Sequence, residues 1–148
     1  MEEIKKDTYK FVFDGVFKKR ALFPFELFRL ASIDDKEELE QIDFFDKKRE
    51  IDLYLQNASI FMLHLNGEYV GLGILMYPYW RKDIAVKNVR NIGIHVAEKY
   101  RGRGFGRSIA QHMIAICLDQ ENIPVAECLM DNPISKATLE SAGFVLMH

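Results

Sequence analysis

The chain has 148 residues, 49% of them hydrophobic and 28% charged, and 20 basic against 22 acidic side chains leave a formal charge of -2. This is the balance of a single globular domain, residues 1–148, large enough to bury a core, and it excludes a general nucleic-acid binder, whose affinity needs a basic excess. Two cysteines, Cys117 and Cys128, without a CxxC pair or a histidine at ligand spacing, point away from a disulfide framework or metal site and towards the reducing cytoplasm. No apolar run reaches membrane-spanning length, and the opening MEEIKKDTYK lacks the apolar core of a signal peptide.

Residues 9–20 (YKFVFDGVFKKR) predict a hairpin around Asp14-Gly15, and 25–31 (FELFRLA) a further strand. Asp34 is the expected N-cap of an acidic helix start, and DKKREIDLYLQ continues in helical style with a solvated charge run at 46–50. SIFMLHLNGEYVGLGILMYP predicts two strands around an Asn66-Gly67 turn. An aromatic, basic loop with Tyr77, Tyr79, Trp80, Arg81 and Lys82 is a candidate acceptor wall. The short apolar strand NIGIHV (91–96) follows. Beyond the glycine-rich YRGRGFGRS, the recurrence of Phe105, Ile109, Met113 and Cys117 every four residues predicts a helix with a wide apolar face. PVAECLMD (124–131) predicts a strand. Asn132-Pro133 starts a last helix, Gly143 ends it, and GFVLMH closes the chain. Strands first, then β-α-β-α-β, indicate an α/β layer fold with a mixed sheet.

The glycine loop joins a buried strand to an amphipathic helix. There the first helical turn presents unpaired N–H groups and the positive end of the dipole. Glycines let an anion approach the backbone closely, and Arg101, Arg103 and Arg107 add charge. The spacing fits neither GxxxxGK[ST] nor GxGxxG.

Arg101, Gly104 and Gly106 meet the pattern RxxGxG within IHVAEKYRGRGFGRS. Asn132, Ser135, Glu140, Gly143 and Phe144 meet N-x-x-S…E-x-x-G-F within DNPISKATLESAGF. From about Ile92 to Phe144 the sequence resembles the GNAT superfamily of acyl-CoA-dependent N-acetyltransferases. The resemblance implies a mixed, splayed central sheet flanked by helices, here with an extra N-terminal hairpin. It implies acetyl-CoA as acyl donor, no metal, and a small-molecule amine or a protein N-terminus as acceptor, with neither nucleic acid nor membrane as partner.

The strand Ile94-His95-Val96 would pair with pantetheine. The segment Arg101, Gly102, Arg103, Gly104, Phe105, Gly106, Arg107 and Ser108 would hold the pyrophosphate, and Asn132 and Ser135 would meet the coenzyme from the next helix. An N–H near Val96 would polarise the thioester carbonyl. Glu127, on the face it shares with Val125 and Leu129, resembles the family's general base; apolar neighbours suit that role. Its rival reading is a solvated or ion-paired glutamate. The family's frequent tyrosine acid falls at Leu139, which keeps a non-catalytic acyl-CoA-binding module as the alternative. Free thiol, with a pKa of about 8.5, makes the thiolate only about 2 kcal/mol uphill at pH 7, so the acid is dispensable. His95, His64 and His112 read as satisfied singletons. Few residues follow Phe144, so the N-terminal hairpin or a second copy of the chain is expected to close the acceptor pocket; a homodimer is the form the latter would take.

Overall fold

The structure, a computed structural model, describes residues 7–17, 19–45, 48–76 and 88–147. Among these, seven strands form one sheet: β1 (Thr8–Phe13), β2 (Phe28–Leu30), β3 (Ile60–Leu65), β4 (Glu68–Met76), β5 (Val89–Val96), β6 (Ile123–Leu129) and β7 (Phe144–Leu146). The helices are α1 (Lys36–Glu40), α2 (Lys48–Gln56), α3 (Phe105–Asp119) and α4 (Pro133–Ser141). Strand order is β2-β3-β4-β5-β6-β1-β7. Every neighbouring pair is antiparallel except β5 and β6, which gives the expected mixed sheet with helices on its faces.

The sheet forks in its middle. β5 pairs with β6 at Val89–Ile123, Arg90–Pro124 and Asn91–Val125. Beyond Asn91, β5 continues to Val96 paired with β4, while β6 continues to Leu129 paired with β1. Two strand edges therefore diverge and face a gap, which is the expected splay.

The N-terminal segment departs from the expected hairpin. The Asp14-Gly15 turn is present, with Gly15 at φ 93° and Val16 N–H donating to Asp14 Oδ1 at 3.0 Å. The described residues after it form no second arm. The reason is topological: β6 occupies one edge of β1 and β7 the other, so β1 has no edge left for a hairpin partner. β1 thus joins the sheet between β6 and a three-residue β7. The expected strand at 25–31 is shorter too: Phe25–Leu27 is a 3-10 turn and only Phe28–Leu30 pairs. The first cap is Ser32, not Asp34; Ser32 and Asp35 form a reciprocal capping box.

Apolar side chains fill both faces of the sheet. The larger core lies under α3 and α4 and includes Phe11, Ile109, Met113, Ala126, Leu139 and Phe144. The smaller lies under α1 and α2 and includes Leu39, Ile51, Ile60, Met62, Leu72 and Ile74. α3 approaches β4 closely because Gly71 and Gly73 stand beneath it. A Cβ on Gly71 would come within 2.6 Å of Ile109 Cδ1 and 2.7 Å of the His95 carbonyl oxygen. Gly71→Ala is therefore expected to destabilise by about 1–3 kcal/mol through overpacking, read as a lower urea midpoint with an unchanged slope.

A second stability device holds β2 to the start of α1. Arg29 donates to both oxygens of Asp35 at 2.7 and 2.8 Å, and Ser32 N–H donates to Oδ2 at 2.8 Å. The Arg29 guanidinium, opposed by desolvation and helped by the Ser32 amide, lowers Asp35 from 3.8 to about 2. A depressed carboxyl contributes stability that is complete above its unfolded value and is lost as pH falls through its folded one. The stability gap between the native chain and Asp35→Asn should thus be full at pH 6 and shrink between pH 3.8 and about 2. Paired urea titrations across that window check it.

Candidate functional site at the fork

The free edge of β5 is built by strand alternation. Ala97 N–H donates to Val70 on β4 at 2.8 Å. Adjacent residues of a strand turn their backbone groups to opposite edges, so Val96 and Ile94 turn theirs into the gap. Arg101 Nε donates to the Val96 carbonyl at 2.9 Å from that side. His95 belongs to the other set. Its backbone faces β4, where its carbonyl sits against Gly71, so of the expected segment 94–96 it is Ile94 and Val96 that turn backbone groups to the gap.

The glycine loop turns at Gly102, φ 75°, and Gly104, φ 92°, which is the N-cap of α3. Both are left-handed conformations that side chains resist. A Cβ on Gly102 would meet nothing within 4 Å, so the backbone there borders open space. Arg103 lies over the Tyr100 ring, 5.8 Å from its centroid, and Tyr100 donates to Glu68 at 2.9 Å. The loop is thereby fixed from β4. Gly106 faces the junction of α3, α4 and β5, where a Cβ would stand 3.2 Å from Thr138 and 3.6 Å from Val96.

α3 also grips residues 19–23, a contact absent from the sequence reading. Arg107 donates to the Arg20 carbonyl at 2.9 Å, Gln111 to that of Lys19, and Ser108 Oγ accepts from Leu22 N–H at 2.8 Å. Ser108 is fully buried and its hydroxyl donates to Gly104 O at 2.9 Å. Both its hydroxyl and its helical N–H are spent on the fold, so the cradle of exposed amides ends before it. Asn132 caps α4 by accepting from Ser135 N–H at 3.1 Å. These two residues therefore set the position of the helix start beside the gap.

On the opposite face of the fork, against α2, lies a cleft of about 370 Å³. Leu53, Tyr54, Leu75 and Met76 give it apolar walls, Asn57 and Ser59 lie at its α2 end, and Asn91 and Glu127 supply polar groups from the diverging strands. Glu127, expected among apolar neighbours, has polar partners. The β1–β6 register sets Lys10 opposite it. Lys10 Nζ lies 3.4 Å from Glu127 Oε2, and Thr8 Oγ1 donates to the same oxygen at 3.4 Å. The carboxylate is held by β1 while its strand lines the cleft.

The other candidates fall into place by burial. His95 hydrogen-bonds the Tyr69 hydroxyl through Nδ1 at 2.8 Å and stacks on that ring. Desolvation, reinforced by Arg101 and opposed by Asp43, lowers it and keeps it neutral at pH 7. His64 pairs with Glu38 and His112 with the Phe23 carbonyl. Leu139 is buried in the larger core, so that position presents packing surface and no proton. Burial pushes the Cys117 thiol up to about 12 and raises Cys128 as well, which suits neither to nucleophilic attack. Among the described residues no group of three or more His, Cys, Asp or Glu could hold a metal ion, and no helix is long and apolar enough to cross a membrane. The aromatic, basic loop proposed as an acceptor wall lies outside the described residues.

A model of the acetyltransferase (GNAT) family matches residues 24–144. The chain belongs to that family. The match begins after β1, the strand that carries Lys10 and Thr8. No curated protein matches the sequence. Among solved structures, a GNAT-family acetyltransferase from Colwellia psychrerythraea superposes with a TM-score of 0.78 at 13% identity, over 96% of this chain and 53% of that one. A GNAT-family acetyltransferase from Novosphingobium aromaticivorans gives 0.72 at 16%, over 95% and 60%. This chain thus spans little more than half the length of those two. AAC(6')-Ib, solved with paromomycin and acetyl-CoA, gives 0.65 at 18%, over 80% and 81%.

Three positions at the cleft or beside Glu127 carry no role in the expectation from sequence: Lys10, Thr8 and Asn91. The first two are placed by pairing between segments more than 110 residues apart, which leaves no local signal. Asn91 did carry one, being an amide side chain in a mostly apolar strand.

Proposed function

We propose that the chain transfers an acetyl group from acetyl-CoA to a primary amine by direct attack of the amine on the thioester. The observation that carries this reading is the fork itself. It sets a free backbone edge and an arginine-flanked glycine turn on one face, and a carboxylate-bearing cleft on the other. Family membership supplies the chemistry to which such an arrangement is suited.

In this reading the amides from Gly102 to Arg107 hold the coenzyme's pyrophosphate at the start of α3. The edge at Ile94 and Val96 aligns the pantetheine arm as an added strand. The Val96 N–H, turned into the gap, donates to the thioester oxygen as negative charge develops there. The amine enters from the α2 side as an ammonium. Removing a proton from a lysine-type amine at pH 7 costs about 4.6 kcal/mol, and Glu127 takes that proton. The amine lone pair then forms the C–N bond, the C–S bond breaks, and the second amine proton leaves as the thiolate is protonated. No acylated cysteine takes part.

Leu139 favours a second reading, an acyl-CoA-binding module without turnover, because that buried side chain offers no proton to the thiolate. Release of free thiol from acetyl-CoA, followed with a panel of amines, separates the two. Amine-dependent release supports transfer; tight coenzyme A binding with no release across the panel supports the sensor.

A further inference from the structure

Asn91 is 4% exposed, and its Oδ1 is a buried acceptor with no hydrogen-bond partner. Buried polar groups are nearly always paired, so an orphan calls for an explanation. Its place supplies one. Asn91 is the last β5 residue paired with β6 before the fork, and it lines the cleft that Glu127 lines from the other strand. The paired partner of Asn91 is Val125, and Glu127 lies two residues further on the same face. Asn91 and Glu127 therefore line one cavity from diverging strands.

Both partners of the Glu127 carboxylate, Lys10 and Thr8, act on Oε2. The remaining described walls are largely apolar, from Leu53, Tyr54, Leu75 and Met76. A cavity of about 370 Å³ holds a compact molecule rather than a polyhydroxylated oligosaccharide. Two hydrogen-bond acceptors, one of them anionic, call for a ligand head with several N–H donors and positive charge. Apolar walls call for a body that does not need hydrogen bonds.

We propose that this cleft selects a compact primary amine with an apolar body, and that the buried Asn91 Oδ1 turns to receive one N–H of the nitrogen that Glu127 deprotonates. The inference rests on the transfer reading for its chemistry but not for its binding step. Sites built to hydrogen-bond a substrate N–H discriminate strongly, because an analogue that fails to reach leaves the buried acceptor unpaired.

The test uses phenethylamine as the probe, with kanamycin and an alanine-initiated peptide as contrasts, against the full chain without acetyl-CoA. Calorimetry is expected to show phenethylamine bound more tightly than either contrast. Asn91→Leu should weaken it at least tenfold while coenzyme A affinity is unchanged. Asn91→Asp, which keeps an acceptor oxygen, should retain binding. In the native chain, phenethylamine should shift the Asn91 side-chain amide signals, which keeps the test open if the leucine variant folds poorly. Equal binding by Asn91→Leu, unmoved Asn91 signals, or preference for kanamycin or the peptide would overturn the proposal. Asn91-dependent binding without any thiol release upholds this inference and sinks the transfer reading. Transfer to the peptide with no dependence on Asn91 does the reverse.

Discussion

Glu127→Gln is expected to lower the rate of acetyl transfer by about 10²–10⁴-fold, the usual contribution of a positioned general base, while coenzyme A binds as before. The substitution is nearly isosteric. It keeps an oxygen to accept from Thr8 and removes the negative charge beside Lys10. The ion pair is partly exposed, so its loss costs stability by no more than about 1 kcal/mol, and thermal midpoints of the two proteins should stay close. Single-turnover transfer rates and calorimetric coenzyme A affinities, measured on the same preparations, separate the chemical step from binding. Unchanged transfer in the variant would remove Glu127 from the chemistry and leave it as a structural partner of β1.

The second large effect is expected at the phosphate loop. Gly104 is the N-cap of α3 at φ 92°, where a β-branched residue is disfavoured by roughly 1–2 kcal/mol. A Cβ there would also come 3.1 Å from Leu22 Cδ1, in the segment that α3 holds through Ser108 and Arg107. Gly104→Val should therefore reshape the turn that presents the amides, and coenzyme A affinity should fall at least about tenfold, which corresponds to about 1.4 kcal/mol. Gly104→Ala should fall between. Phenethylamine affinity in the cleft across the sheet should be little affected, because that cleft is lined from α2, β4, β5 and β6. A loss of stability with full coenzyme A affinity would mean that the turn shapes the fold and not the site.

What could be read from residue order alone follows from how local each signal is. The turn at Gly102–Gly106, the apolar face of α3 and the Asn132-Pro133 start of α4 are all written within a few positions, and the structure has them. The same locality explains the misplaced hairpin. Asp14-Gly15 does turn the chain, but a turn does not say which strand will occupy the edge beside it. β1 pairs with β6 and β7 across most of the chain's length, and that pairing is decided by burial of Phe11 against Ala126 and Phe144, not by any neighbour in sequence. Glu127 was visible as a residue, whereas its Lys10 and Thr8 partners follow only from that register. The family resemblance implies coenzyme pairing along the whole strand Ile94-His95-Val96 and does not say which of its residues face the gap. Strand alternation, fixed by the Ala97–Val70 hydrogen bond, turns His95 away from it.

The alternation has a further consequence for the site. Asn91 and His95, with Gly93 between them, share the face towards α1 and α2, whereas Ile94 and Val96 pack towards α3. In the proposed function this strand separates a coenzyme face from an acceptor face, and the fork lets groups on the two faces meet.

The central claim is that amides at the start of α3 clasp the coenzyme's diphosphate while the β5 edge takes its pantetheine arm. Titrating coenzyme A into the isotope-labelled protein and following backbone amides tests it most directly. The largest shifts are expected on Gly102 to Arg107 and on Ile94 and Val96, with the amides of α2 nearly still. Saturable binding that leaves those loop and edge amides unmoved, or no binding at all, would contradict it.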